Sequence, residues 1–239
     1  MHAAMTHVSE PTAAPPLSRR LFAELLGTGL LVTVVVGSGI AAADLTPDDV
    51  GLQLFYNSTA TVLGLTVLIL MLAPVSGAHF NPVVSAVDWW LGRRVGRGLP
   101  GRDVAAYAVA QTVGAVAGAL LANLMFDVPA AFATKDRNDW HLWVGEVVAT
   151  AGLVALIFAL ARAGRGDWSA PAVGAYIGAA YWFTSSTSFA NPSVTVGRMF
   201  SDTFAGIAPS GVLGFVLAQL VGGAVGLGLV RVLYPEGSS

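Results

Sequence analysis

Charged side chains are scarce in this 239-residue sequence, at 11% against the roughly one quarter carried by soluble domains. Cysteine is absent, which excludes disulfides, thiol nucleophiles and cysteine metal sites. The net charge is only −2, so there is no basic surplus of the kind that binds nucleic acid. No His/Asp/Glu cluster has metal-ligand spacing, and the apolar segments hold no acid–base pair or nucleophile–base pair. The chain therefore reads as neither an enzyme nor a metalloprotein, with no cofactor. Residues 1–17, with Pro11, Pro15 and Pro16, lack the basic stretch and apolar run of a signal peptide and read as a flexible cytoplasmic tail.

What is abundant is apolar: 55% of the residues, with a mean hydropathy of +0.69. A bilayer core about 30 Å thick needs about 20 apolar residues per helical span. Six such runs cover about 18–43, 52–73, 103–126, 142–163, 170–187 and 210–233. Glycine numbers 28, and pairs four apart (Gly114/Gly118, Gly174/Gly178, Gly222/Gly226) permit close helix approach in lipid. Arginines precede the first run (Arg19, Arg20), follow the second (Arg93, Arg94, Arg97, Arg102) and the fourth (Arg162, Arg165), and end the sixth (Arg231). Basic loops face the cytoplasm, which puts both termini inside. Trp140, His141 and Trp143, like Trp89 and Trp90, read as interfacial anchors.

Two connections each hold an apolar stretch too short to span. One begins at Asn81-Pro82-Val83 and the other at Asn191-Pro192-Ser193. Asn is a strong N-cap and Pro favours the first helical position, so half-helices are expected near 82–92 and 192–201. The landmarks repeat. Glu24, Asn81-Pro82 and Gln111-Thr112-Val113-Gly114 in one half match Glu146, Asn191-Pro192 and Gln219-Leu220-Val221-Gly222 in the other. Three spans per half make the second copy enter from the opposite side, an inverted repeat of 18–126 and 142–235 joined by an extracellular connection at 127–141. The half-helices then meet N-terminus to N-terminus near the midplane. Irregular backbone at that depth is tolerated only where it is buried in protein or lines a wet cavity. Gly77, Ala78, His79 and Phe80, with Thr187, Phe189 and Ala190, are therefore expected to line a pore with carbonyls, and Asn81 and Asn191 to supply donors at its centre.

This pattern resembles the aquaporin and glyceroporin superfamily over about residues 18–233. The resemblance implies an all-α membrane protein of six transmembrane helices and two re-entrant half-helices. It implies passive conduction of small neutral solutes through one pore per subunit, usually in a homotetramer embedded in the bilayer. It also implies that Glu24 and Glu146 brace the loops, with Gln111 and Gln219 alongside. For His79, local bonding of the ring is preferred over a pH gate. The family usually has Ala as the third residue of both motifs, and Arg three residues after the second Asn. Here Val83, Ser193 and Val194 stand in those places. Arg198 lies one turn further on and is not given the filter role. An ungapped count places Thr61, Ala179, Ser188 and Val194 at the constriction. A two-residue shift puts Leu63 and Tyr181 there instead, and the sequence leaves both registers open. A constriction without arginine implies entry of polyols or neutral metalloid hydroxides such as arsenous acid beside water, and the run 180–192 is similar to bacterial members linked to arsenic resistance. The alternatives are a strict water channel and, more remotely, a secondary active transporter, which also uses broken helices.

Overall fold

The computed structural model describes residues 15–235 and is all-α, with eight helices and no strand among the described residues. The expected tail at 1–17 lies almost wholly outside them. The long helices are α1 (Leu17–Leu45), α2 (Val50–Ser76), α4 (Gly101–Met125), α5 (Trp140–Arg162), α6 (Ser169–Phe183) and α8 (Pro209–Leu233). The short ones are α3 (Pro82–Gly92) and α7 (Pro192–Arg198). Five of the long helices have the length and hydropathy of a membrane span on their own. At about 1.5 Å per residue, the 15-residue α6 reaches roughly 22 Å, and the 3-10 turn Gly166–Trp168 leads directly into it.

The helix starts follow local chemistry. Asn81 Oδ1 accepts the Val83 amide at 2.9 Å, and Asn191 Oδ1 accepts those of Ser193 and Val194 at 3.0 and 3.3 Å. Proline fills the first helical position in both, where its missing N–H costs nothing. α6 stops at Phe183, four residues short of the expected end, where Thr184 turns to extended backbone (φ −106°, ψ 137°), and Thr187 and Ser188 beyond it take positive φ values of 62° and 52°. α7 stops at Arg198, three short of the expected 201, where the Met199 carbonyl accepts the Ala133 amide at 2.9 Å.

Small residues set the helix approaches. A Cβ on Gly114 or Gly118 of α4 would overlap the backbone carbonyls of Leu25 or Gly29 in α1. A Cβ on Gly222 or Gly226 of α8 would come within 2.6 Å of the Val147 or Ala151 carbonyl of α5. Large apolar side chains such as Phe22, Leu63, Leu124, Leu213 and Val232 point outward, the arrangement suited to lipid rather than water. The start of α1 and the end of α8 share one face: Arg20 pairs with Asp103 at the start of α4 at 2.9 Å, Gly101 there packs against Trp89 of α3, and Arg231 of α8 lies 5.9 Å from the centre of the adjacent Trp90 ring. On the opposite face, segment 133–137 is laced to 199–208.

Candidate functional site: a pore between two half-helices

The backbone before each half-helix takes the same unusual course. Gly77, Ala78 and Phe80 have positive φ (90°, 48°, 49°), and so do Thr187, Ser188 and Ala190 (62°, 52°, 49°). Non-glycine residues there are strained by about 1–3 kcal/mol each, so the surroundings must impose the shape. Two buried carboxylates do so. Glu24 accepts the His79 and Phe80 amides at 3.0 and 2.7 Å, the Ser76 hydroxyl at 2.6 Å and the Gln111 amide at 2.7 Å. Glu146 accepts the Phe189 and Ala190 amides at 2.9 and 2.8 Å and the Gln219 amide at 2.5 Å. The unsatisfied atoms also correspond between the halves: Thr28 and Thr150 Oγ1, Gln111 and Gln219 Oε1.

The two half-helix starts are cross-linked. Asn81 Nδ2 donates to the Ala190 carbonyl at 2.7 Å, and Asn191 Nδ2 donates to the Phe80 carbonyl at 2.6 Å. A primary amide carries two N–H donors, so each asparagine keeps one beyond this link. Both line a continuous cavity of about 550 Å³ together with Gly77, Ala78, His79, Phe80, Ser188, Phe189 and Ala190. Thr187 is not among its lining residues. Within the half-helices Val84 and Val194 face the cavity, whereas Pro82, Val83, Pro192 and Ser193 do not. Val83 is buried against Gly223 of α8, and Ser193 Oγ meets Thr112 Oγ1 at 2.9 Å.

Towards the opposite face the cavity wall is Thr61, Tyr181, Ser188 and Val194. Thr61 Oγ1 lies 3.2 Å from the Tyr181 hydroxyl and donates to the Asn57 carbonyl at 2.8 Å. Ala179 is exposed on the outside of α6, and Leu63 is exposed on α2. Of the residues in the ungapped count, Thr61, Ser188 and Val194 line the cavity and Ala179 does not; of the shifted pair, Tyr181 lines it and Leu63 does not. The reason is local: α6 runs to Phe183, leaving only 184–190 to reach Asn191. Towards the face bearing the termini, His79 and Asp88 line the mouth. The His79 ring is bonded locally, with Nδ1 3.1 Å from Ser85 Oγ and Nε2 3.8 Å from Asp88.

Sequence reasoning missed the cations at the other mouth. Arg198, 2% exposed, lines the cavity; its Nε donates to the Ala205 carbonyl at 2.5 Å, and its guanidinium lies 3.4 Å from the centre of the Phe189 ring. Arg137 is buried 5.0 Å from the same ring and donates to the Gly206 and Ser186 carbonyls at 3.0 and 3.3 Å. Burial holds Arg137 down to about 10, partly offset by Glu146 and Tyr181. Lys135 donates to the Phe204 carbonyl at 3.0 Å. Burial first, then Arg137 and Arg198, lower its ammonium to about 8. Arg198 and Phe189 are nine positions apart while Arg137 is far off in the chain, so only the folded loops reveal the cluster.

Residues 12–188 match the sequence profile of the major intrinsic protein family. The chain is 52% identical over 218 residues to the aquaglyceroporin AqpS of Rhizobium meliloti, covering 90% of each. It is 31% identical over 226 residues to aquaporin Z of Brucella melitensis, covering 87% of this chain and 94% of that one. Among solved structures, the aquaglyceroporin from Plasmodium falciparum superposes with a TM-score of 0.71 at 21% identity, covering 92% of this chain and 98% of that one. This chain belongs to the major intrinsic protein family and is an integral membrane channel that passes water and small neutral solutes passively, not an enzyme.

Proposed function

We propose that the pore conducts glycerol-sized polyols and neutral metalloid hydroxides such as arsenous acid in addition to water. The observation that carries this is Val194. It faces the cavity three positions after Asn191, in a wall that also holds the Thr61–Tyr181 hydroxyl pair, and its own contribution to that wall is apolar. The Arg198 guanidinium is held against the Phe189 ring at the side. A polyhydroxyl solute needs an apolar flank for its carbon or metalloid edge and hydroxyl partners for its other edge. Val194 with Thr61, Tyr181 and Ser188 offers both. The relative from Rhizobium meliloti, named an aquaglyceroporin, supports the same reading.

Selectivity against ions follows from the centre. The N-termini of α3 and α7 converge there, and their partial positive ends oppose cations. The free amide donors of Asn81 and Asn191 hold a passing oxygen and turn it away from its neighbours, which hampers proton relay. The paired loop geometries and paired carboxylates favour an inverted repeat of 18–126 and 142–235. The arginine distribution favours termini in the cytoplasm and residence in the plasma (inner) membrane. A homotetramer is the assembly we assign by family resemblance.

Tyr181 favours a second reading, a strict water channel, because its ring narrows the site that Ala179 would have left open. Light scattering of proteoliposomes under water, glycerol and arsenous acid gradients separates the two. The native channel is expected to pass all three. Val194→Arg is expected to lower glycerol and arsenous acid flux about tenfold, a barrier increase of about 1.4 kcal/mol, while keeping most water flux. Passage of water alone by the native channel would establish the narrower reading.

A further inference from the structure

Lys135, Arg137 and Arg198 cluster on the opposite face, and Arg198 of the three lines the pore there. None of them joins an ion pair among the described residues. Arg137 and Arg198 share the Phe189 ring, at 5.0 and 3.4 Å from its centre, so their charges repel at short range. Both are nearly fully buried, where charge without a counterion is costly. Glu146, the carboxylate whose field reaches both guanidiniums, is already occupied by two loop amides and Gln219.

Arg137 has its Nε and one terminal nitrogen bonded to carbonyls. Arg198 has only Nε so engaged, leaving both terminal nitrogens without a protein partner at a cavity it lines. Ser188 lines the same cavity, 4% exposed, with its Oγ buried and without a partner. The mouth therefore presents a guanidinium fork in the positive field of two nearby cations, with no ion pair to either among the described residues.

We infer that this mouth is a binding site for a small planar monovalent oxyanion, of nitrate or simple carboxylate size, which sits against the Arg198 fork and reduces the passage of neutral solutes. Planar oxyanions match the parallel N–H donors of arginine. The anion stays at the mouth because the wall beyond it is largely aliphatic (Leu31, Val35, Leu65, Ile69, Leu153) and offers little to replace its hydration. The inference rests on the channel reading above for its effect on flux, but not for binding.

Two readouts keep these apart. The first is the melting temperature of the detergent-purified protein in sodium nitrate against sodium chloride, a monatomic anion without parallel acceptors, at equal ionic strength, which needs no transport. A ligand that binds only the folded state stabilises it. The native protein is expected to melt about 2 °C or more higher in nitrate relative to Arg198→Gln under the same pair of salts. Lys135→Gln, which leaves the fork in place, is expected to shift the nitrate midpoint upward two- to threefold. The second readout is glycerol flux into proteoliposomes, expected to fall at least twofold in nitrate for the native protein and to be unchanged in Arg198→Gln. Identical nitrate responses in native protein, Arg198→Gln and Lys135→Gln would overturn the site, including where Arg198→Gln is too unstable to compare and Lys135→Gln alone matches the native response. Absence of solute flux in every salt would instead count against the channel reading, and the melting comparison would still decide the site.

Discussion

A carboxylate inside a membrane protein normally calls for a transport role, but the bonds of Glu24 and Glu146 go to the loops before the half-helices and to side chains packed around them. Each oxygen of Glu146 accepts a loop amide, and one also accepts Gln219. Those bonds hold Phe189 and Ala190 in a course that includes a positive φ at Ala190. Glu146→Gln would turn an amide N–H towards backbone N–H groups, losing at least one bond and leaving a buried donor unsatisfied. The expected cost is about 1–3 kcal/mol, read as a fall of a few degrees in melting temperature. Glu24→Gln is expected to behave alike, because Glu24 holds His79 and Phe80 in the same way. A variant that keeps its stability but loses conduction would point instead to a direct role for the carboxylate. Residue-level chemistry of this kind was legible in the sequence as far as the pairing of Glu with Asn-Pro. The caps at Asn81 and Asn191 were legible too, since an Asn followed by Pro carries its own local instruction.

At the scale of the element, legibility depended on whether a contact is local. The half-helix starts are local and were placed at Pro82 and Pro192. The position of α6 relative to Asn191 depends on how the chain turns through 184–190, which is why Tyr181 rather than Ala179 reaches the cavity. The meeting of Arg137 with Phe189 depends on three separate loops and left no local signal. Helix spacing lies between these cases, because glycine periodicity marks a close approach without naming the partner. Gly118 approaches α1 so closely that a side chain would strike the Gly29 carbonyl, whereas nothing lies within 4 Å of a Cβ on Gly228 of α8. Gly118→Leu is therefore expected to force α1 and α4 apart, costing about 3 kcal/mol or more and reducing the yield of monodisperse protein on size exclusion. Gly228→Ala is expected to leave yield unchanged and to raise stability by up to about 1 kcal/mol through helix propensity. Equal behaviour of the two would mean that the α1–α4 seam does not depend on its glycines.

For the whole molecule, the distribution of basic residues ties orientation to the pore's electrostatics. Nine of the twelve (Arg19, Arg20, Arg93, Arg94, Arg97, Arg102, Arg162, Arg165 and Arg231) lie at the helix ends and connections of the face that holds the termini. The other three form the cluster at the opposite mouth. By the rule that basic loops stay inside, the nine favour the cytoplasmic side we propose for the termini, while the three at the other end lie against Phe189, Phe204 and backbone carbonyls. The absence of cysteine makes the orientation directly testable. Asp48→Cys places a lone thiol in the exposed connection between α1 and α2, and Val95→Cys places one in the exposed connection after α3 without removing a charge. In right-side-out vesicles, a membrane-impermeant maleimide is expected to label Asp48→Cys at once and Val95→Cys only after permeabilisation. The reverse pattern would put the termini outside and turn the cation cluster towards the cytoplasm. Any anion acting on the Arg198 mouth would then come from the cell rather than from the medium.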